Sequence, residues 1–323
     1  MKTESTNARK LHKKREFSYI LGDTFARKFV DPKTGIFYTK HTRIRSCPVC
    51  GSKQYRDVFF KDGGTYVKCT KCTMIYTNPV FKEASLKEFY TKVDSGQAKI
   101  TVQEAPFYTE IYSLGLKATT KFVKPGTILD VGCGSGFFLD IAKKKKWKTS
   151  GLELSPSDVA IARRGGHQIY DDLIEKVSFN EKFSAVTLWD VFEHIVDGAT
   201  YLRRLAKLLA PGGVVFMQIP NSGSLAARIL RDKCNMFHSL GHVNLYNPKT
   251  IQLIAEKNGF EIVYLKTVIS EAAVIENYLN YEHPYFGFSK YNGKVLGFIS
   301  PETIHKHNLG YKMQIVMRPK KKK

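Results

Sequence analysis

Apolar runs of strand length alternate with segments of helical periodicity through most of the second half of the chain. From Pro125 onward the strand-like runs are TILDV, KTSGLEL, HQIY, FSAVTLWD and GVVFMQIP. The segments between them include FFLDIAKKKK, Pro156–Arg164 and residues 199–209, and these carry apolar residues at helical spacing. Such alternation predicts an α/β fold, in which a parallel sheet has helices on both faces.

The pattern changes on either side of this block. Before it, FKEASLKEFYTKV (81–93) predicts one amphipathic helix, and a second is expected at about 106–122. After it come a polar stretch with histidines (221–247), a helix over Pro248–Lys257 and the strand FEIVYLKTV. An aromatic-rich segment (275–300) and a closing strand, YKMQIVMRP, complete the chain. The aromatic segment is expected to pack against the sheet, although its rings could also stack on a base or a sugar.

Composition places the chain among globular proteins. Its 323 residues are 43% hydrophobic and 25% charged, which suits about two domains and excludes disorder or collagen as overall descriptions. No apolar run approaches the length of about 18 residues that a membrane-spanning helix needs, and the N-terminus lacks the apolar core of a secretory signal. A cytoplasmic enzyme is therefore expected. The predicted divisions are a basic extension (1–45), a cysteine-rich module (46–80), a helical linker and cap (81–122) and an α/β domain (123–323). This last domain is expected to carry substrate-lid insertions at about 221–247 and 267–310.

The charge balance favours anionic partners. Lys and Arg total 51 against 29 Asp and Glu, a formal net charge of +22. Such a field attracts nucleic acids and anionic or nucleotide-linked small molecules alike. Short basic runs such as His12–Arg15, Lys143–Lys146 and Lys320–Lys323 are most simply solvated surface.

Four of the six cysteines form two close pairs. Cys47-Pro-Val-Cys50 and Cys69-Thr-Lys-Cys72 give the spacing C-x2-C-x18-C-x2-C. Two such turns can supply four thiolates to one tetrahedral ion, so a structural zinc site is predicted. Iron at a rubredoxin-like site and a redox role for the thiols remain alternatives. Thr73 stands where the second turn would ordinarily have a glycine.

A glycine-rich turn follows the first strand of the α/β block. Asp130-Val-Gly132-Cys133-Gly134-Ser-Gly136 leads directly into the next predicted helix, and Glu153 ends the second strand. Glycines let a ligand approach the backbone closely, and a carboxylate after the second strand can accept ribose hydroxyls. The aspartate before the turn would repel the pyrophosphate of a dinucleotide but suits a ligand with an ammonium group. The sequence therefore predicts an S-adenosylmethionine site.

In their order and their residues, these motifs resemble those of the class I S-adenosylmethionine-dependent methyltransferases. The likeness rests on ILDVGCGSGFFLDIA, GLELSPSDVAIAR, FSAVTLWDVFEHIVD and LLAPGGVVFMQIPN. It implies a Rossmann-like seven-stranded sheet and a bound S-adenosylmethionine. By the same resemblance Asp130 and the turn hold the methionine part and Glu153 the ribose, whereas Asp172 or Asp171 flanks the adenine. The full set of implied cofactor residues is Asp130, Gly132, Cys133, Gly134, Gly136, Glu153, Leu154, Asp172, Leu173, Asp190 and Val191.

The segment from Cys47 to about Tyr90 resembles a zinc-ribbon module that precedes some methyltransferases of this class. Those proteins include relatives of the sugar C-methyltransferases. The resemblance implies a small-molecule acceptor, in particular a sugar or glycan precursor methylated on oxygen or carbon.

Methyl transfer to oxygen, or to an acidic carbon, needs an aligned acceptor and a group that removes a proton. His242 and His194 are the candidate bases, while Asn244 and Tyr246 are candidate acceptor contacts. The main alternative is an RNA methyltransferase that docks through the ribbon and basic surface, although the fourth strand ends in DVFEH rather than an (N/D)PPY-type motif. A binding protein with a degenerate fold is disfavoured by the intact turn and Glu153.

Overall fold

The computed structural model describes residues 27–82, 85, 101–285, 296, 297 and 299–320. In its N-terminal part the strands are β1 (Thr42–Arg43), β2 (Tyr55–Lys61), β3 (Gly64–Cys69), β4 (Ile75–Thr77) and β5 (Val80–Phe81). The next elements are α1 (Ala105–Thr119), β6 (Thr127–Val131), α2 (Phe137–Lys144), β7 (Lys148–Leu152), α3 (Pro156–Arg164), β8 (Gln168–Tyr170), β9 (Phe183–Trp189), α4 (Gly198–Leu208) and β10 (Leu209–Pro220). The last are α5 (Leu225–Leu230), β11 (Asn244–Leu245), α6 (Pro248–Lys257), β12 (Phe260–Val268), α7 (Ala272–Leu279), α8 (Pro301–Lys306) and β13 (Lys312–Pro319).

Seven strands form the central sheet, in the order β12-β13-β10-β9-β6-β7-β8. Strands β10, β9, β6, β7 and β8 pair in parallel. Their apolar residues are almost fully buried, as strands covered on both faces require. The predicted α/β class and seven-stranded Rossmann-like sheet are confirmed.

Several helices of the sheet region begin where the sequence carries a capping residue. The side chains of Ser155 and Asp197 accept the backbone N–H of Asp158 and Thr200 at the starts of α3 and α4. These short polar side chains satisfy N–H groups that the first helical turn leaves without an intrahelical partner. The local signals therefore account for the close agreement between predicted and observed helix starts.

Helix α1 packs through a glycine. A Cβ atom on Gly115 would lie 2.4 Å from Trp189 Cη2 and 2.5 Å from Phe216 Cζ. Tyr112, one turn earlier, also contacts Trp189, with ring centroids 4.5 Å apart. Only a residue without a side chain lets the helix approach this aromatic group so closely.

Gly115→Ala is expected to destabilise the protein by about 1–3 kcal/mol, the usual cost of overpacking a core. Alanine has a better helix propensity than glycine, worth about 1 kcal/mol, and this gain offsets only part of the loss of stability. Thermal unfolding of this variant beside Ser113→Ala, an exposed position on the same helix, separates packing from propensity. Equal or higher stability of Gly115→Ala would contradict the packing argument.

The chain divides into two units. One comprises Glu83–Ile219, Ile251–Leu265 and Gln314–Lys323 and contains most of the seven-stranded sheet. The other comprises Met1–Lys82, Pro220–Thr250 and Lys266–Met313. The segments predicted as lid insertions of the α/β domain are thus grouped with the cysteine-rich module.

The cysteine-rich unit contains a four-stranded sheet in the order β11-β4-β3-β2. Strand β11, from the polar stretch after the central sheet, pairs antiparallel with β4. The core of this unit joins Tyr66 of the module to Phe237, Leu245, Ile275 and Tyr285. Burial of these apolar groups explains why the distant segments assemble together.

The basic extension is partly described. Phe29 and Phe37 are buried against Phe81, with edge-to-face ring contacts at 5.4 and 4.5 Å. Phe81 lies in strand β5, paired with β1, so it does not begin the helix predicted over 81–93. Residues 1–26, most of that helix and the aromatic residues Phe286, Phe288 and Tyr291 lie outside the described residues.

Candidate cofactor site and four-cysteine centre

The residues predicted to hold the cofactor follow the carboxyl ends of neighbouring parallel strands. Val131 pairs with Leu152, and Leu152 pairs with Tyr170, so β6, β7 and β8 end at one level. The glycine-rich turn, Glu153 and Asp172 come directly after these ends. Open α/β sheets bind their ligands at this edge.

Glu153 connects two of these strand ends. Its Oε2 accepts the N–H of Gly134 at 2.9 Å, and its Oε1 accepts those of Leu154 and Ser155 at 2.7 and 2.9 Å. A carboxylate offers about four acceptor positions, so about one remains for a ribose hydroxyl. To bind both hydroxyls of a ribose, Glu153 Oε2 would have to give up its hydrogen bond from the N–H of Gly134 and accept a hydroxyl instead.

The turn has room for a ligand. Gly132, Gly134 and Gly136 have φ angles of 70°, 51° and 86°, in the left-handed region that glycine adopts freely. No atom lies within 4 Å of the Cβ position of Gly134, whereas a Cβ on Gly132 would lie 2.7 Å from Val191 Cγ2. The face of Gly134 is therefore open to a ligand, and the donor and acceptor groups around it fit an adenosine with an amino-acid end.

Asp130 is buried between two strands. Its Oδ1 accepts a 2.6 Å hydrogen bond from the Thr187 hydroxyl, and Thr187 is its register partner on β9. Burial raises the pKa of the Asp130 carboxyl to about 8, although the bond from Thr187 opposes the rise. Near pH 7 this carboxyl is mostly protonated, and a nearby cation would favour its ionised form.

The predicted residues after β8 and β9 are held by local bonds. Asp172 Oδ1 accepts the N–H of Leu173 at 2.8 Å, whereas Asp171 forms an exposed ion pair with Arg163. Asp190 has a φ of 55°, and its Oδ2 accepts Gln218 Nε2 at 3.2 Å. Gln218 is in turn bonded to Gln314, which extends this polar network into β13.

Three supporting residues were not identified from the sequence. Thr187 and Gln218 are polar residues inside otherwise apolar strands, and this was the available signal for both. Gly151 is the third, since a Cβ there would lie 2.5 Å from Cys133 Sγ. Cys133 thus packs under the turn, and burial raises its thiol pKa well above the ordinary value.

The four paired cysteines converge. All four sulfur atoms lie within 4.8 Å of one another, with Cys47–Cys72 and Cys50–Cys69 both at 3.5 Å. Tetrahedral zinc with Zn–S bonds of about 2.3 Å separates its sulfur ligands by about 3.8 Å. The donor set and its spacing therefore fit one structural zinc ion.

The two cysteine turns have the same backbone form. The N–H of Gly51 donates to Cys47 O at 2.9 Å, and that of Thr73 donates to Cys69 O at 3.1 Å. Gly51 and Thr73 have φ angles of 77° and 68°. Thr73 therefore occupies the glycine position with a conformation that disfavours a β-branched side chain.

Thr73→Gly is expected to stabilise the protein by about 0.5–1 kcal/mol. The variant relieves a left-handed strain of about 1–2 kcal/mol and loses part of that gain to the greater freedom of glycine when unfolded. Gly51→Thr is the matched reverse change, because no atom lies within 4 Å of its Cβ position. Denaturant unfolding should show shifts of opposite sign, and shifts of the same sign would refute the strain argument.

The candidate bases come from different segments of the chain. His194 ends a short 3-10 turn, Phe192–His194. His242 Nδ1 lies 2.7 Å from Met236 O, so Nδ1 carries a proton and the neutral ring has its lone pair on Nε2. His238 Nδ1 instead accepts the N–H of Gly241. Of these rings, His242 is held in the tautomer that a general base acting through Nε2 needs.

Comparison with known proteins agrees with this geometry. The model of a family described as "Methyltransferase domain" matches residues 107–265. Residues 107–265, about half of the chain, are therefore similar to a methyltransferase domain. The chain therefore carries an enzyme domain of the methyltransferase type. Within the described residues, no helix has the length and apolar character to cross a membrane.

Individual relatives cover the methyltransferase domain to different extents. The human mitochondrial ubiquinone biosynthesis O-methyltransferase is 24% identical over 65% of this chain and 67% of its own length. The corresponding protein of Hydrogenovibrio crunogenus is 32% identical over 29% of this chain and 43% of its own length. The chain thus spans less than half of that bacterial relative. The plantazolicin methyltransferase BpumL, solved with SAH, matches 73% of this chain with a TM-score of 0.50 and 14% identity, a likeness of fold.

Proposed function

We propose that the protein transfers the methyl group of S-adenosylmethionine to an oxygen of a small-molecule acceptor. The observation that carries this proposal is the bond between Glu153 and Gly134, which joins the carboxylate after β7 to the open turn after β6. Around that pair, Asp130 is proposed to interact with the amino-acid end of the cofactor, and Asp190 and Val191 are proposed to bound that end. Oxygen is preferred as the acceptor atom because the relatives named above are O-methyltransferases.

The adenine is proposed to lie beside Asp172 and Leu173 rather than Asp171. Asp171 is engaged by Arg163 at 3.1 Å, whereas Asp172 is fixed by its bond to the next residue's N–H. Leu154, which follows Glu153, is proposed to complete the adenosine contacts. These assignments are tested by the binding affinities of Asp172→Asn and Asp171→Asn for SAH, with the larger loss expected at Asp172.

His242 is the proposed general base, with His194 as the alternative. When bound, the cofactor supplies an electrophilic methyl group on a sulfonium. The protein must align the acceptor hydroxyl and take its proton. The bond from Nδ1 to Met236 O orients the His242 ring, and Nε2 is the proposed acceptor of that proton. Asn244 and Tyr246, on the same buried segment, remain proposed acceptor contacts.

A structural zinc ion at Cys47, Cys50, Cys69 and Cys72 is part of the proposal. With four cysteine ligands the ion has no open position for a substrate, so its role would be to fold the module. The half-buried Arg45 supports this assignment, since a cation near the thiolates offsets their charge. Burial lowers the Arg45 pKa to about 10, which leaves it charged at neutral pH.

The preferred acceptor is a phenol, and a sugar is the alternative. The names of the relatives favour a phenolic hydroxyl of the quinone-precursor type, whereas the ribbon resemblance favours a sugar. An anionic or nucleotide-linked acceptor would suit the net charge of +22. A cytoplasmic location stays a prediction, and the human relative is mitochondrial.

The deciding experiment is transfer of a radiolabelled methyl group into separated fractions of an undermodified cell extract. The fractions are total RNA, water-soluble sugar metabolites and organic-extractable phenols, each also incubated with Glu153→Gln protein as the control. Label in the phenol fraction supports the preferred acceptor, and label in the sugar fraction supports the alternative small molecule. Label confined to RNA would overturn the small-molecule proposal and make the ribbon and basic surface a docking site.

A further inference from the structure

The stretch 234–245, named here the histidine segment, is built onto the cysteine-rich module. Lys61 Nζ donates to Cys234 O at 3.1 Å, and the Ser239 hydroxyl donates to Asp62 O at 2.8 Å. Phe237 packs edge-on against Phe59, with ring centroids 4.8 Å apart. The first half of the segment is therefore anchored to strand β2 and to the turn that follows it.

Two consecutive carbonyl groups of the segment, those of His242 and Val243, are held most firmly. The Tyr66 hydroxyl donates to His242 O at 3.0 Å. Val243 O accepts both the N–H of Thr77 at 3.0 Å and Arg45 Nη2 at 2.7 Å. Tyr66 and Thr77 are buried and Arg45 is half-buried, and all three belong to the module. The peptide on the C-terminal side of His242 is therefore fixed from outside its own segment.

Arg45 joins this peptide to the metal-binding turn. It lies two residues before Cys47, and its Nε also donates to Thr77 O at 3.1 Å. Its guanidinium stacks over Tyr76, 5.2 Å from the ring centroid. A planar guanidinium can bond two carbonyls at once, and the point charge of a lysine cannot.

We propose that Tyr66 and Arg45 are positioning residues for methyl transfer, which fix the His242 backbone from the cysteine-rich module. The inference rests on the proposed role of His242 as base. Tyr66 and Arg45 act by holding the backbone of His242, whose ring nitrogen Nε2 is the proposed acceptor of the proton.

Removing the Tyr66 hydroxyl while keeping its ring separates a positioning role of this residue from a packing role. Its ring packs on Phe237 at 5.1 Å, a contact that phenylalanine would preserve. Tyr76 on the adjacent strand is equally buried, but among the described residues its hydroxyl has no hydrogen-bond partner. Tyr66→Phe and Tyr76→Phe are therefore chemically identical changes, of which only the first removes a bond to the histidine segment.

The test uses full-length, metal-loaded protein with ¹⁵N-labelled histidine. Ring ¹⁵N shifts, assigned with His242→Asn, report the tautomer of His242, and hydrogen exchange reports the amides of Val243–Leu245. In Tyr66→Phe we expect a mixture of tautomers and exchange about tenfold faster, as loss of one buried hydrogen bond implies. Tyr76→Phe should match the wild type in both measurements. Metal content and affinity for SAH should be unchanged in both variants.

Arg45→Lys provides a second variant that keeps the charge. We expect it to retain metal and to show the same tautomer mixture and faster exchange as Tyr66→Phe. Wild-type signals in Tyr66→Phe, or equal changes in both tyrosine variants, would overturn the inference. If Arg45→Lys loses metal while the tautomer of His242 and the amide exchange stay as in the wild type, Arg45 is not a positioning residue.

Different results would refute the proposed role of His242 as base and the positioning role of Tyr66. Wild-type label transfer by His242→Asn would show that His242 is not the base, whatever the two tyrosine variants do. Conversely, His242→Asn could be inactive while Tyr66→Phe keeps the wild-type tautomer and exchange rates. That result would support His242 as the base and refute the positioning role of Tyr66.

Discussion

Asp130→Asn is expected to weaken S-adenosylmethionine binding about tenfold to a hundredfold and, at the same time, to stabilise the protein near neutral pH. The loss of affinity follows from removing a charge-assisted interaction, worth about 1.5–3 kcal/mol. The asparagine keeps the shape of the side chain and can still accept the Thr187 hydroxyl at its Oδ1. The two effects have opposite signs, so a general folding defect cannot produce both.

The pH dependence has a defined sign. In the unfolded chain the Asp130 carboxyl has a pKa of about 3.9, whereas burial raises it to about 8 in the folded protein. Between these values the folded state binds more protons, so the contribution to stability is present below about pH 4 and is lost as pH rises toward 8. The limiting slope is about 1.4 kcal/mol per pH unit. Asp130→Asn removes this slope.

Denaturant unfolding at pH 5, 6, 7 and 8 would show the advantage of Asp130→Asn over the wild type growing with pH. Calorimetric titration in buffers of different ionisation enthalpy should show proton release when the wild type binds S-adenosylmethionine near pH 7, and none for the variant. Asp57→Asn, an exposed carboxylate on β2, is the control for loss of charge alone. Affinity of Asp130→Asn within threefold of the wild type would disprove the assigned role.

Cys72→Ser is expected to lose the bound metal and unfold the cysteine-rich module. Zinc in small metal-binding domains contributes on the order of 10 kcal/mol to folding, which exceeds the stability of most domains. Cys72 is buried with its sulfur 3.5 Å from Cys47, so a serine leaves an incomplete ligand set. Removing the metal from the wild type with a chelator should have the same effect.

Metal analysis and near-ultraviolet circular dichroism measure this result. Cys234→Ala is the matched control, because Cys234 is a buried cysteine of the same unit outside the four-sulfur cluster. It should retain one metal ion per chain. Affinity for SAH should stay within about threefold in Cys72→Ser, since the proposed cofactor residues belong to the unit that holds the sheet. A full complement of metal in Cys72→Ser would rule out the four-cysteine site.

The elements of the α/β sheet could be predicted because their signals are local. Strand β6 is the TILDV run, α3 is Pro156–Arg164 as expected, and β12 is FEIVYLKTV. Apolar periodicity and capping residues act within a few positions of the chain, so a sequence shows them directly. The helix expected from Phe81 is the exception, because Phe81 pairs in β5 with a strand that begins almost 40 residues earlier.

The chemistry of the site could be predicted only where it depends on spacing. Two cysteine pairs, a glycine-rich turn and a carboxylate after the next strand are short motifs, and each specifies a donor set. The burial of Asp130 against Thr187 could not be predicted, because it depends on the register of β6 against β9, 57 residues apart in sequence. The raised pKa of Asp130 follows from that burial.

The sequence by itself determined the α/β class, the glycine-rich turn with Glu153 and the two cysteine pairs, since each depends on residues close together in the chain. Only the tertiary structure decided that the segment with His242 would become part of the cysteine-rich unit. Arg45 and Val243, which meet there, are 198 residues apart. Contacts over such separations form because they bury a shared core and satisfy buried carbonyl groups. Neither gain is visible in the order of residues along either segment.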